Sequence, residues 1–167
     1  PTLTAILVEP ADDRSSVNGG GLPIDILREP DLRLDGRCRV LVSGYDEDGQ
    51  LGGRMAFQRL ELWRDDVLWA RLAMDSFTYG GDRATDRTYD PFRTGFGPTV
   101  YTLDLTATDP VPEIMTGRGP LAAPATPTAM TVRAFDMSGN VTEASFRLAP
   151  PSFEPSAVRA VDGDRNH

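Results

Sequence analysis

Two packed antiparallel β-sheets are what this sequence predicts, on three observations. Apolar and polar residues alternate in short runs, and a period of two lines one face of a strand with core residues. The 16 glycines and 14 prolines are spread between those runs as punctuation. No stretch carries the apolar spacing of a long amphipathic helix. With 167 residues the chain has the usual size of one domain and can bury a real core.

Taken in order, "LTAILVE" at 3–9 reads as a strand stopped by Pro10, and "ADDRSSVNGGG" follows as a loop. Residues 24–27 make a short strand between Pro23 and Pro30. The run "RCRVLVSGY" at 37–45 alternates strictly: Cys38, Val40, Val42 and Gly44 face one way, and Arg39, Leu41, Ser43 and Tyr45 the other. That marks a half-buried strand. "FQRLELWRDDVLWARLAM" at 57–74 fits either period, but Asp65-Asp66 sits between two runs of β-formers. The reading is a hairpin with strands at 58–64 and 67–73, with a single helix as the rival. "TVYTLDLTAT" at 99–108 is another strand, and residues 128–136 and 143–148 form a final hairpin around "MSGN". Eight short strands between Pro and Gly are the pattern of a β-sandwich. Two longer loops, 77–98 and 109–127, break the spacing. Residues 1–149 are assigned to the sandwich and 150–167 to a Pro-rich linker or disordered tail. The hydrophobic positions expected to dominate are Phe57, Leu60, Leu62, Leu68, Leu72, Val100, Leu103, Leu105, Val132, Ala134, Phe135 and Phe146.

Charge narrows the partners. Net charge is −8, and every basic residue is an arginine standing near Asp or Glu. Nucleic-acid binding needs clustered positive charge, so that class is excluded. The absence of Lys implies GC-rich coding and a bacterial source. Cys38 has no second cysteine to pair with, and a small buried hydrophobe is the expected role. No apolar run reaches the roughly 18 residues of a membrane helix. The chain opens at Pro1 without a signal peptide, which reads as a mature product or an excised fragment and leaves the compartment open.

One pattern occurs twice: "VSGYDEDGQ" at 42–50 and "VRAFDMSGN" at 132–140. Each runs from Val through an aromatic-Asp pair to Gly and an amide. A strand entering a tight turn explains it: the aromatic packs at the edge of the core, the Asp accepts from turn N–H groups, and Gly takes positive φ. The rival is calcium, with Asp46, Asp48 and Asp136 as candidate ligands converging from separate loops. The complete calcium loop, with carboxylates at alternate positions and a terminal Glu, is missing.

Catalytic constellations are mostly absent. His167 is the only histidine and lies in the tail, so neither a Ser-His-Asp arrangement nor a His-rich zinc site can be built. Gly19-Gly20-Gly21 precedes neither a helix nor a Lys. A glycosidase carboxylate pair would need two acids facing across a cleft. The loop at 77–98 is dense in aromatics. Tyr79, Tyr89, Phe92, Phe96 and Tyr101 can stack on sugar rings, close the end of the sandwich, or dock a neighbouring domain. Docking or packing is favoured, with Phe77, Tyr79, Tyr89 and Phe92 as the docking candidates.

Four stretches in order carry a family likeness: "LVEPADDRSSVNG", "VLVSGYDEDG", "MAFQRLELWRDDVLWARLAMDSFTY" and "VRAFDMSGNVTEASFRL". Together they cover most of residues 3–148. They resemble the β-sandwich region that accompanies the catalytic domain in bacterial lysostaphin-type zinc peptidases, which cut peptidoglycan cross-links. The family's peptidase motifs, His-x-x-x-Asp and His-x-His, are absent, so no catalytic residue carries over. The resemblance implies an immunoglobulin-like β-sandwich with a long loop insertion, acting as a non-catalytic accessory module. Its partner would be a peptidase domain in the same polypeptide, with peptidoglycan nearby and a periplasmic or extracellular location. No cofactor is implied in this chain. A calcium-dependent adhesion module or a carbohydrate-binding module is the alternative.

Overall fold

The structure, a computed structural model, describes residues 1–47, 53–74, 89–90, 93–94, 100–108 and 115–151. Asp48, Phe77, Tyr79, Phe92, Phe96, His167 and the tail from 152 lie outside the described residues. The described chain is all-β, with thirteen strands in two sheets.

The first sheet is built around β5 (Arg37–Glu47), the longest strand. β1 (Thr2–Pro10) pairs with one edge of β5, and β3 (Ile24–Asp25) pairs with β1. Short strands line the rest of β5: β9 (Tyr101–Asp104) opposite Leu41 to Gly44, β11 (Leu121–Ala122) opposite Cys38 and Arg37, and β6 (Arg54–Met55) opposite its last residues. The second sheet runs β10 (Met115–Gly117), β8 (Val67–Ala73), β7 (Arg59–Arg64), β12 (Thr128–Phe135), β13 (Val141–Ala149), β4 (Asp31–Asp35), β2 (Ser16–Val17). Every pair is antiparallel except β13 with β4.

One hydrophobic core takes residues from both sheets: Ile6, Val8, Val40, Val42 and Leu103 from the first, and Leu32, Leu34, Leu60, Leu62, Leu72, Val132, Phe146 and Leu148 from the second. Gly44 marks its tightest point. A methyl group there would lie 2.2 Å from the Thr2 carbonyl oxygen and 2.4 Å from the Phe57 ring, so the space that a side chain would need is filled by that ring. The β1 ladder shifts register opposite Gly44, between Leu3 and Ala5, where the backbone passes close.

The hairpin over 57–74 forms with its turn at Asp65-Asp66, and the helix rival falls. The turn holds because Asp65 takes a φ of +50° and is bound twice to Ala129: its N–H donates to the Ala129 carbonyl, and its carboxylate accepts from the Ala129 N–H. The strand expected over 99–108 is cut to four residues. Thr106 folds back, its N–H and hydroxyl both donating to Asp104, while Thr106 Oγ1 takes the Val40 N–H at 2.8 Å. A side chain there replaces one rung of the ladder.

Three readings need correction. β5 is not half-buried: Leu41 and Ser43 on its other face are also buried, so that face is covered as well. The loop regions contain strands, namely β2 within 11–21 and β10 and β11 within 109–127. The aromatics of the repeated pattern do not pack inward. Tyr45 lies under the Arg54 guanidinium at 3.8 Å and Phe135 under Arg59 at 3.7 Å. Phe135 faces outward because its neighbour Ala134 takes the core position, and strand side chains alternate. Leu68 and Val100 are likewise only half-buried.

Candidate functional site

The two outer faces of the molecule carry its charged chemistry. On the first sheet, the registers Glu9↔Arg39 and Leu41↔Asp104 place Glu9, Arg39 and Asp104 on one side. The Glu9 carboxylate, 6% exposed, accepts from Arg39 on one oxygen and from Arg93 Nη2 at 2.7 Å on the other. Arg39 Nη1 also reaches Asp104 at 3.5 Å, and Arg93 Nη1 holds Asp90 at 2.7 Å. Asp90 and Thr94 bond to Thr102 of β9. β5 lies between β9 and β1, so the Arg93 side chain must cross the outer side of β5 to reach Glu9. Beneath it, Leu41 is fully buried and Ser43 shares a 2.8 Å hydrogen bond with Thr102. Burial raises the Asp104 carboxyl above its ordinary value, against the opposing hydrogen bonds from Thr106 and the charge of Arg39. This cluster is closed: each terminal nitrogen of Arg39 and Arg93 holds a carboxylate.

On the second sheet the arginines are held differently. One cross-strand row reads Arg71, Glu61, Arg133, Glu143 over β8, β7, β12 and β13. The adjoining row contains Arg59 opposite Phe135, with Val141 beyond it. Arg59 Nε lies 3.2 Å from Glu61, and Arg133 Nε lies 2.6 Å from Glu143. Glu61 also accepts from the Trp63 indole N–H at 2.9 Å. Arg59 covers the Phe135 ring and Arg133 stands 5.1 Å from the centre of Trp63. Among the described residues, the Nε atoms of Arg59, Arg71 and Arg133 are buried without a hydrogen-bond partner.

A second arginine–aromatic group sits beside β10. Trp69 occupies the bulge between Leu68 and Ala70, gives its indole N–H to Gly119, and lies between Arg64 and Arg118. An open groove of about 900 Å³ runs along β4, lined among others by Asn18, Asp31, Arg33, Asp35 and Arg147. Among the described residues its lining contains no aromatic side chain. Asn18 closes the edge of β4 there, its side-chain oxygen taking the Arg33 N–H at 2.6 Å and its own N–H reaching the Arg33 carbonyl.

The predicted site residues divide as follows. Asp136 anchors the β12–β13 turn. Its carboxylate accepts from the N–H groups of Ser138 and Asn140 and from the Asn140 side chain, at 2.6–2.9 Å, and Gly139 takes a φ of +84°. The Asn140 side-chain bond leads the interactions that lower its pKa. Asp46 stands 3.5 Å from the Pro1 amine. Among the described residues, no three or more His, Cys, Asp or Glu side chains are grouped so that they could hold a metal ion. Tyr89 bridges to Leu103, stacks beside Tyr101 with ring centres 5.9 Å apart, and directs its hydroxyl at the Met74 sulfur. Cys38 is fully buried, and burial pushes its thiol up to about 11. Among the described residues, no helix is long and apolar enough to cross a membrane.

Sequence reasoning passed over both arginine clusters. The available signal was the all-arginine composition, in which each planar guanidinium can stack on a ring and fork a carboxylate. Comparison with known protein families, curated proteins and solved structures gave no match.

Proposed function

We propose that this chain is a non-catalytic accessory module, an immunoglobulin-like β-sandwich that packs on or orients the catalytic domain of an exported cell-wall zinc metallopeptidase. The strand order supports the fold part of this reading. β1, β5 and β9 lie together as strands A, B and E do, and β13, β12, β7 and β8 follow the G, F, C, C′ order of variable-type sheets. The buried Cys38 on β5 takes no part in the inter-sheet disulfide typical of antibody domains, since the chain has one cysteine.

The observation that carries the docking role is the outer face of the second sheet. Arginine and aromatic side chains are the types enriched at protein interfaces, and there they sit on a rigid four-strand platform. The acids support a non-catalytic role: Glu9 and Asp136 are each engaged by at least two donors within the fold, and Glu61 accepts from the Trp63 indole beside the charge of Arg59. The peptidase assignment itself rests on the resemblance of four stretches. In that setting the module acts by shape, flanking a groove and limiting which peptide bridges reach the catalytic domain in the cell envelope.

The sequence flanking this chain in its parent gene tests the peptidase reading. Discovery of His-x-x-x-Asp and His-x-His motifs in the same frame is the expected result. A complete parent frame without them would overturn the peptidase assignment and leave only the docking role.

A further inference from the structure

We infer that the outer face of β8, β7, β12 and β13 docks an acidic, extended polypeptide segment of a protein partner. The inference rests on the docking-module reading above and adds the chemistry of the partner.

Charge is the first argument. The chain has a net charge of −8, yet this face presents Arg59, Arg71, Arg133 and Arg147 against Glu61 and Glu143. The positive excess is local and lies on a surface whose overall field is negative. Geometry is the second. A guanidinium stacked on a ring keeps its plane fixed, and its remaining N–H groups point to solvent as a fork that fits a carboxylate. Arg59 and Arg133 are held in that way, with Nε turned toward Glu61 and Glu143. Arg71 directly faces Glu61 across the strands, and its buried Nε, like those of Arg39, Arg59 and Arg133, has no hydrogen-bond partner among the described residues. On the first sheet the same fork is filled, since Arg39 and Arg93 each hold two carboxylates. Among the described residues, Arg59 and Arg133 each stand by one carboxylate, at Nε, and Arg71 by none.

Spacing is the third argument. Arg71 and Arg133 lie on strands separated by β7, about 10 Å apart at the usual inter-strand distance. Arg59 and Arg133 are diagonal neighbours on β7 and β12, about 7–8 Å apart. An extended chain places alternate side chains at that second spacing, so carboxylates at every second position meet successive guanidinium groups. The half-exposed Val141 and the rims of Trp63 and Phe135 lie beside the charges and can take the methylene stems of those carboxylate side chains. Sugar is the poorer fit. A pyranose needs an uncovered ring face, and Arg59 and Arg133 stand over Phe135 and Trp63.

The test uses the full chain and a synthetic twelve-residue peptide of alternating Glu and Leu, measured by isothermal titration at low salt. A peptide with Gln for Glu and the anionic polysaccharide polygalacturonate serve as comparisons. The acidic peptide is expected to bind and the Gln peptide not. Affinity should fall about tenfold when salt is raised to physiological strength, because these charges are solvent-exposed. Arg71→Gln and Arg133→Gln should each weaken binding about fivefold, the upper end for a partly exposed ion pair. Arg28→Gln, 89% exposed and away from this face, should change it less than twofold. Thermal unfolding of each variant confirms that it is folded.

Absence of peptide binding overturns the inference, as does equal weakening by Arg28→Gln. Tighter binding of polygalacturonate than of the peptide would replace the polypeptide with an anionic sugar. Concentration-dependent dimerisation in sedimentation, lost in Arg133→Gln, would make the occupant a second copy. None of these outcomes bears on whether the parent gene encodes a peptidase, which the flanking sequence decides separately.

Discussion

The two outer faces use the same residue types for opposite ends. On the first sheet, Arg39 and Arg93 spend every terminal nitrogen on Glu9, Asp104 and Asp90, and the apolar Leu41 beneath is sealed from water. On the second, Arg59 and Arg133 lie against rings, each with one carboxylate beside its Nε, and Val141 is 48% exposed. The first face works as a second small core with a polar roof. The second is built as a surface. The difference lies in how the carboxylates are held: the Arg93 side chain reaches Glu9 from beyond β5, whereas Glu143 is met by one arginine on the neighbouring strand.

The sharpest way to break this contrast is to truncate one apolar side chain on each face. Leu41→Ala should cost about 3 kcal/mol, the range for a fully buried leucine. Val141→Ala should cost less than about 1 kcal/mol, as for an exposed strand position. Urea unfolding reads both, and similar values would mean that the first face is open too. A smaller effect comes from matched carboxylates. Glu9→Gln should cost about 2 kcal/mol, below the full penalty for breaking a buried pair because Arg39 and Arg93 remain over a third exposed to solvent on average. Glu143→Gln should cost about 0.5 kcal/mol or less, as expected of a half-exposed ion pair.

The smallest effect is a difference in sign with pH. Burial raises the Asp104 pKa, so its ionised form opposes folding and that opposition fades as pH falls through the raised value. Hydrogen bonds lower the Asp136 pKa, so its contribution is present above the unfolded value and is lost as pH falls through the lowered one. Stability relative to wild type should therefore fall on acidification for Asp104→Asn and rise for Asp136→Asn. Unfolding curves between about pH 3 and 7 span the window. Parallel slopes would show that the two carboxylates sit in equivalent surroundings.

How much was legible follows from how far apart the deciding residues are. The 57–74 hairpin could be read because its turn residues sit between its own strands. The Asp136 corner could be read because Asp, Gly and Asn act within five residues. β4 was missed although "DLRLD" alternates as strictly as any run in the chain; its flanking Pro30 and Gly36 made it look like loop. The strands β10 and β11 have no alternation to find, since they are two or three residues long and take their structure from β8 and β5. The arginine faces were out of reach for a different reason. Arg93 finds Glu9 across 84 positions, and Arg59 meets Phe135 only because β12 is registered against β7. Such pairings are set by the sheet rather than by any local pattern.

The parallel pairing of β4 with β13 has a consequence for how the chain is made. β4 is synthesised early, but its partner in the register Asp31↔Arg147 leaves the ribosome more than a hundred positions later. Loop closure over that distance makes the contact slow to form, and the second sheet is complete only after the β12–β13 hairpin has folded. In the interval β4 exposes one strand edge, which is a template for wrong pairing. Asn18 guards its other edge from the moment residues 18–33 have emerged, its amide standing in for a neighbouring strand. Nascent chains stalled before β13 should be the species most prone to aggregate during synthesis.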